Sequence, residues 1–298
     1  MNPILHITTG DIAGSSLVKS GISGEVFVWH DVLYDGFRKP GWPDGDTLRS
    51  RARFLEEVTA GGLSREYILD TLKAQYLKLE SKDYEGLVLW TDACLFDQSM
   101  LTHILACLRA LGNQEAELIC VDSFPGIEPF HGLGQLGPEQ FASVYDRRRT
   151  VTDDQFRFAE HVDKAFALQD MTAFAELSER RDAPLPWIPA AVQRWLREQP
   201  DPATGLGRLE QLALAAIRSG CRSPAEILAH VSAKDTPPQF WGDITLWAKI
   251  NALSDRKLVR IEGPAERLPQ WEGIADLELF RAYPVQRRTT NEDSFCRA

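Results

Sequence analysis

Four short segments rich in β-branched and aromatic residues, separated by stretches of helical periodicity, predict an α/β fold: a Rossmann-like, mostly parallel sheet with helices on its faces. The segments are "ILHITT", "EVFVWHD", "GLVLWTD" and "ELICVDS". A glycine- and proline-rich change of texture after Ser123, and a new helical pattern from Leu206, add a helical segment and then a winged-helix-like C-terminal domain. The expected boundaries are 1–125, 126–203 and 204–285, with a flexible tail over 286–298.

Taken in order, the first helix is expected from Ile12 to Lys19, with Asp11 as its N-cap and Gly21 just past its end. A second follows Ser64, where Ile68, Leu72, Tyr76 and Leu79 share one face. A third begins after Asp97, lined by Leu101, Ile104, Leu105 and Leu108 and stopped by Gly112. Between Asp31 and Leu48 the run "YDGFRKPGWPDGD" is too rich in glycine and proline for regular structure. Long loops of this kind are often functional, and this one is read as a lid over the sheet edge. Helices are then expected over 138–144, 153–168, 171–180 and 189–197, followed by the linker "EQPDPATG". The last part reads as three helices, "GRLEQLALAAIRSG", "SPAEILAHVS" capped by Ser223, and "FWGDITLWAKINALSDRK", and then two short strands, "LVRIE" and "ELFRAY". Three helices followed by a hairpin is the winged-helix order.

Length and composition bound the class. The chain has 298 residues, 44% apolar and 26% charged, enough to bury a real core and typical of a soluble globular protein. A formal net charge of −10 disfavours broad attraction to nucleic acid or to an anionic membrane. The five cysteines, Cys94, Cys107, Cys120, Cys221 and Cys296, are odd in number and widely spaced, and read as reduced thiols. No apolar run approaches a membrane span and no basic leader precedes the first strand, so cytoplasm is the expected location.

Ligands of open α/β sheets sit beyond the carboxyl ends of the strands. The first strand delivers Thr8, Thr9, Gly10 and Asp11 there, the second Trp29, His30 and Asp31, the third Trp90, Thr91 and Asp92, and the fourth Asp122 and Ser123. If Asp11, Asp31, Asp92 and Asp97 converge, repulsion either raises one pKa, as a general acid needs, or is relieved by a divalent cation such as Mg²⁺. The amides that open the first helix favour an anion. Each feature also has an ordinary structural reading. An Asp at a helix start is a common cap, an Asp there competes with an anionic ligand, and "TTGDIAG" is neither a dinucleotide fingerprint nor a P-loop. His30 and Asp31, as neighbours in a strand, point to opposite faces. His6, Trp29 and Trp90 are ordinary core material, and "HGLGQLGPEQF", with Gly132, Gly134, Gln135 and Gly137, reads as a tight turn or as a ligand loop. In the C-terminal part, the third helix offers Trp241, Asp243, Trp247 and Lys249, a set better suited to packing against protein than to phosphate.

Together, "LHITTGDIAGSSLVKSGISGEVFVWHDVLYDG", "LVLWTDACLFDQSML" and "FPGIEPFHGLGQLGPEQFASVYDRR" resemble bacterial proteins of the domain-of-unknown-function family 1835. The stretch from "GLGRLEQLALAAI" to "FWGDITLWAKINAL" resembles its partner C-terminal domain, family 3658. The resemblance implies that Gly10, Asp11, Trp29, Asp31, Asp97 and Gln98 make up the family's motifs. At "DACLFDQ" the chain departs from the pattern, keeping the acid as Asp92 but placing Ala93 and Cys94 where relatives carry a His and an Asp.

The functional expectation is a phosphorylated small molecule or nucleotide, bound or processed at this sheet edge. The processing variant is a metal-assisted phosphoester enzyme, with Mg²⁺ as the candidate cofactor. Asp11, Asp31 and Asp92 are the catalytic candidates, and Thr8, Thr9, Gly10, Ser15, Trp29, Asp97 and Gln98 the ligand-binding ones. The competing expectation is a non-catalytic regulatory module, in which the C-terminal domain relays a ligand signal to a protein or DNA partner or pairs with a second copy of the chain.

Overall fold

The computed structural model describes residues 3–59, 62–81, 83–113, 115–236, 239, 242–269 and 274–285. Trp241, Cys296 and the tail expected over 286–298 lie outside the described residues. The chain divides into two compact units, one of residues 1–208 with 235–241, the other of 209–234 with 242–298.

The first unit is built on a five-stranded sheet. Its strands are β1 (Ile4–Thr9), β2 (Glu25–Trp29), β3 (Gly86–Asp92), β4 (Glu117–Val121) and the short β5 (Arg149–Thr150), in the order β2-β1-β3-β4-β5. The first four pair in parallel and β5 is antiparallel to β4. The order reverses between β1 and β3, which is where the sequence-based fold class places a crevice. Alternate residues of the strands face opposite layers. Leu5, Ile7, Leu87, Leu89 and Leu118 enter one core, and Val88, Trp90, Ile119 and Val121 enter the other.

The second face is covered by α1 (Asp11–Lys19), through Ala13 and Leu17, together with a short helix introduced below. Gly10, with φ of 73°, is the N-cap of α1 in place of Asp11, which is the first helical residue. The first face takes α2 (Gly45–Val58) and α3 (Arg65–Glu80), capped by the side chains of Asp44 and Ser64, and α4 (Leu95–Ala110). Expected to begin after Asp97, α4 starts three residues earlier, because the Cys94 sulfur takes the cap by accepting from the Asp97 N–H. Beyond β4, α5 (Pro138–Val144) is the short helix that joins α1, burying Phe141 and Val144 against Trp90.

The next three helices are α6 (Asp153–Leu168), opened by a Thr152–Gln155 capping box, α7 (Met171–Glu179) and α8 (Ile188–Glu198). Their apolar faces, with Phe156, Val162, Phe174, Ile188 and Trp195, enter the same core as Leu5 and Leu89 of the sheet.

The Asp31–Asp44 loop, expected as a lid, is instead built into the core. Leu33 and Tyr34 are buried, the Tyr34 carbonyl accepts from the Trp195 indole at 2.9 Å, and Arg38 reaches inward until it is 3% exposed. There Arg38 pairs with Asp163 at 2.7 Å. Asp163 Oδ1 lies 2.9 Å from His103 Nδ1, and the Tyr76 hydroxyl lies 2.7 Å from His103 Nε2. With its proton on Nδ1, the imidazole donates to Asp163 and accepts from Tyr76. Glycine and proline here serve to thread a polar side chain into a core.

The second unit consists of α9 (Arg208–Ser219, starting one residue before the boundary), α10 (Pro224–Lys234), α11 (Asp243–Asp255) and the antiparallel pair β6 (Val259–Glu262) and β7 (Arg281–Pro284). Ser223 caps α10 as expected, and the Glu226 carboxylate returns the bond to the Ser223 N–H at 3.0 Å. Among the described residues, no helix is long and apolar enough to cross a membrane.

Candidate functional site

The four carboxylates expected to converge divide into three places. Asp11 stands on α1 with its side chain 85% exposed, 3.2 Å from His30 Nε2. Asp31 is buried and ion-paired with Arg51 of α2, accepting also from the Val32 N–H at 2.7 Å. The same guanidinium donates to the carbonyls of Asp35 at 2.7 Å and Val32 at 3.0 Å, so Asp31 and Arg51 fasten the start of the loop to α2. A carboxylate neutralised this way is a structural clasp, and the catalytic role expected for it is not supported by its position.

Asp92 and Asp97 do come together, behind the ends of β1 and β3. Asp97 accepts from the Thr9 hydroxyl through one oxygen and from the Asp92 N–H, at 2.8 Å, through the other. Asp92 in turn accepts from the N–H of Cys94 at 2.8 Å and of Leu133 at 3.1 Å. Gln98 donates to the Asp92 carbonyl at 2.6 Å. Burial pushes the Asp92 carboxyl above the usual carboxylate range, and burial followed by the negative charge of Asp92 pushes Asp97 well above it. Burial, then the two carboxylates, also raises the Cys94 thiol. This Cys is therefore a poor source of thiolate.

Ligand atoms of Asp92, Cys94 and Asp97 lie within 4.8 Å of one another, so the cluster was tested as a cation site. It does not suit Mg²⁺, which needs octahedral oxygen ligands and its own waters. One of the three groups is a thiol, and all three are buried, away from the waters that Mg²⁺ keeps.

The remaining expected ligand-binding residues fall apart. Thr8 is fully buried in β1, and Ser15 is exposed on α1. Trp29 is 1% exposed, packed edge-on against Tyr76 with ring centroids 5.3 Å apart, and so cannot stack on a ligand. Gly10 ends β1 at the surface beside Asp11.

A cleft of about 1020 Å³ opens instead at the carboxyl ends of β3 and β4. Asp92 and Cys94 line its floor, Asp122 and Phe124 one side, and Trp187 the start of α8. The Trp187 indole donates to Asp122 Oδ2 at 3.2 Å, and the Ser123 hydroxyl to Oδ1 at the same distance. Gln239, also at the cleft, accepts from the Leu95 N–H at 2.9 Å and so covers an open amide of α4. His131 Nδ1 is buried there without a hydrogen-bond partner. A buried carboxyl with a raised pKa at the floor of such a cleft can carry a proton to a bound molecule. Asp92 is the one residue in which the expected site and the cleft coincide. Asp122 was placed at the correct strand end by the sequence, but its pairing with Trp187, 65 positions away, carries no local signal. No protein-family model matches the chain, and no curated protein is significantly similar to it.

Proposed function

We propose that this protein binds a small organic molecule in the cleft at the carboxyl ends of β3 and β4, with Asp92 as the hydrogen-bonding group of the floor. The observation that carries the reading is a cleft of about 1020 Å³, at the upper end of the size of drug-sized ligand sites, whose floor is a buried carboxyl with a raised pKa. A bare phosphate is the less favoured occupant, since among the described lining residues there is no lysine or arginine and the anion would face Asp92, Asp122 and Glu128.

Ligand-observed NMR against a fragment collection tests the reading, with Ala190→Trp as the comparison. Ala190 is exposed on α8 and lines the cleft, so the indole fills the space without disturbing the core. Fragments that bind the wild type and are lost in A190W support the cleft. A hit list unchanged by A190W overturns it.

Three helices followed by an antiparallel pair in the second unit support a winged-helix-like reading of that unit. The quoted motifs, on their own, support kinship with the domain-of-unknown-function families 1835 and 3658. Retention of duplex DNA on filters at low salt tests whether the second unit engages nucleic acid, where electrostatic binding is strongest.

A further inference from the structure

We propose that the ligand of the β3–β4 cleft is an organic cation, an ammonium group carried on an aromatic or apolar body. This rests on the reading of the cleft as a small-molecule site and adds the charge of its occupant.

Three carboxylate side chains line the cleft, Asp92 at the floor and Asp122 and Glu128 nearer solvent, and no described lining residue is a lysine or arginine. The ion pairs of the first unit place its cations elsewhere. Arg38 and Arg51 are spent on Asp163 and Asp31, and Arg194 of α8 on Asp235 and Glu198. The nearest strong partners of the Asp122 carboxylate are neutral donors, the Trp187 indole and the Ser123 hydroxyl. They orient the carboxylate, and among the described residues no cation pairs with it. Each oxygen has a further lone pair for an N–H donor.

The apolar part of the lining fits the same occupant. Trp187, Phe124 and Phe130 border the space, and the indole of Trp187 is held in place by its bond to Asp122. An aromatic ring fixed beside a carboxylate attracts a cation twice, through the charge and through the negative face of the ring. A carboxylate-bearing ligand of the same shape gains only the apolar contacts and pays the repulsion. His131 Nδ1, buried at the cleft and without a hydrogen-bond partner among the described residues, is one more group to which an ammonium can donate when the imidazole proton sits on Nε2.

Three compounds with one aromatic frame separate these terms: tyramine as the cation, tyrosol as the neutral alcohol and 4-hydroxyphenylacetate as the anion. Titration calorimetry on the full chain at low ionic strength is expected to rank tyramine tightest and the acid weakest. Asp122→Asn keeps an acceptor for the Trp187 indole and removes the charge. Together with Glu128→Gln, it is expected to weaken tyramine by about threefold to tenfold, the loss of two partly exposed charges, and to change tyrosol by less than about twofold. Both residues are exposed, so the double variant retains the fold, and an unchanged thermal midpoint checks this. Tyrosol or the acid binding as tightly as tyramine in a manner lost in A190W overturns the cation assignment and leaves the cleft reading standing. Absence of A190W-sensitive binding by all three compounds overturns both.

Discussion

The hydroxyl of Thr9 donates to Asp97, 88 positions further along the chain, and thereby joins the end of β1 to the first turn of α4 across the point where the strand order reverses. The second oxygen of Asp97 holds the Asp92 N–H, so one side chain ties the ends of β1 and β3 together at that point. The cleft lies one strand along, at the ends of β3 and β4.

Asp97→Ala leaves the Asp92 N–H and the Thr9 hydroxyl buried without partners, and is expected to destabilise the protein by about 2–4 kcal/mol. Thr9→Val keeps the shape and loses one hydrogen bond, at about 1 kcal/mol. Urea denaturation of both variants checks the order.

Asp31→Ala strands the Arg51 guanidinium in the core and is expected to cost about 3–5 kcal/mol. Adding Arg51→Leu restores part of the loss, because no buried charge is then unpaired. Fragment binding in the cleft is expected to stay intact in the double variant, because Asp31 does not line it.

The buried His103 imidazole is held below its ordinary value, by burial first and then by the charge of Arg38 against the pull of Asp163. A base with a depressed folded pKa stabilises the fold above its unfolded value, about 6.5, and loses that contribution as pH falls from there through the folded value. His6, lowered chiefly by burial, acts in the same direction. Burial opposes ionisation of Asp163, but His103 and Arg38 outweigh it and hold that carboxyl at about 2, which adds a second loss of stability between its unfolded value and about 2. Asp92 and Asp97, raised in the fold, add stability as pH falls and so oppose these losses. The expected result is therefore read as a difference, the thermal midpoint of wild type falling further below pH 6.5 than that of His103→Gln.

Asp11→Asn should change stability by no more than about 0.5 kcal/mol, since the side chain is exposed and its partner His30 is half exposed. Cleft binding in this variant should equal that of the wild type by the same NMR assay.

Millimolar Mg²⁺ is expected to leave the thermal midpoint unchanged, because the Asp92–Asp97 cluster is buried and includes the Cys94 thiol. A midpoint that rises with Mg²⁺ and not in Asp92→Asn would reinstate the cation site.

The four parallel strands and the helices α1, α3 and α4 were legible because each rests on local pattern: β-branched runs, spacing of three and four, and glycine after a helix, whereas α2 and the two-residue β5 were not expected. The caps of α1 and α4 were legible to within one to three residues. Gly10 took a left-handed backbone at one and Cys94 supplied an unusual sulfur acceptor at the other. The site was less legible. That Asp92 and Asp97 meet follows from their shared strand-to-helix turn. That Asp31 is neutralised depends on Arg51, 20 positions on and on another element, and that Trp187 turns toward Asp122 depends on a helix whose packing the sequence does not encode locally.

Arg38 and Arg51 give the 31–44 segment a property at odds with its composition. Stretches crowded with glycine and proline are where proteases ordinarily cut, because cleavage needs several consecutive residues to peel away and adopt the enzyme's extended groove. Here peeling would pull Arg38 off Asp163 and Asp31 off Arg51, so nicking should await opening of the domain as a whole, and Phe37, although exposed, should survive chymotrypsin for as long as the fold does.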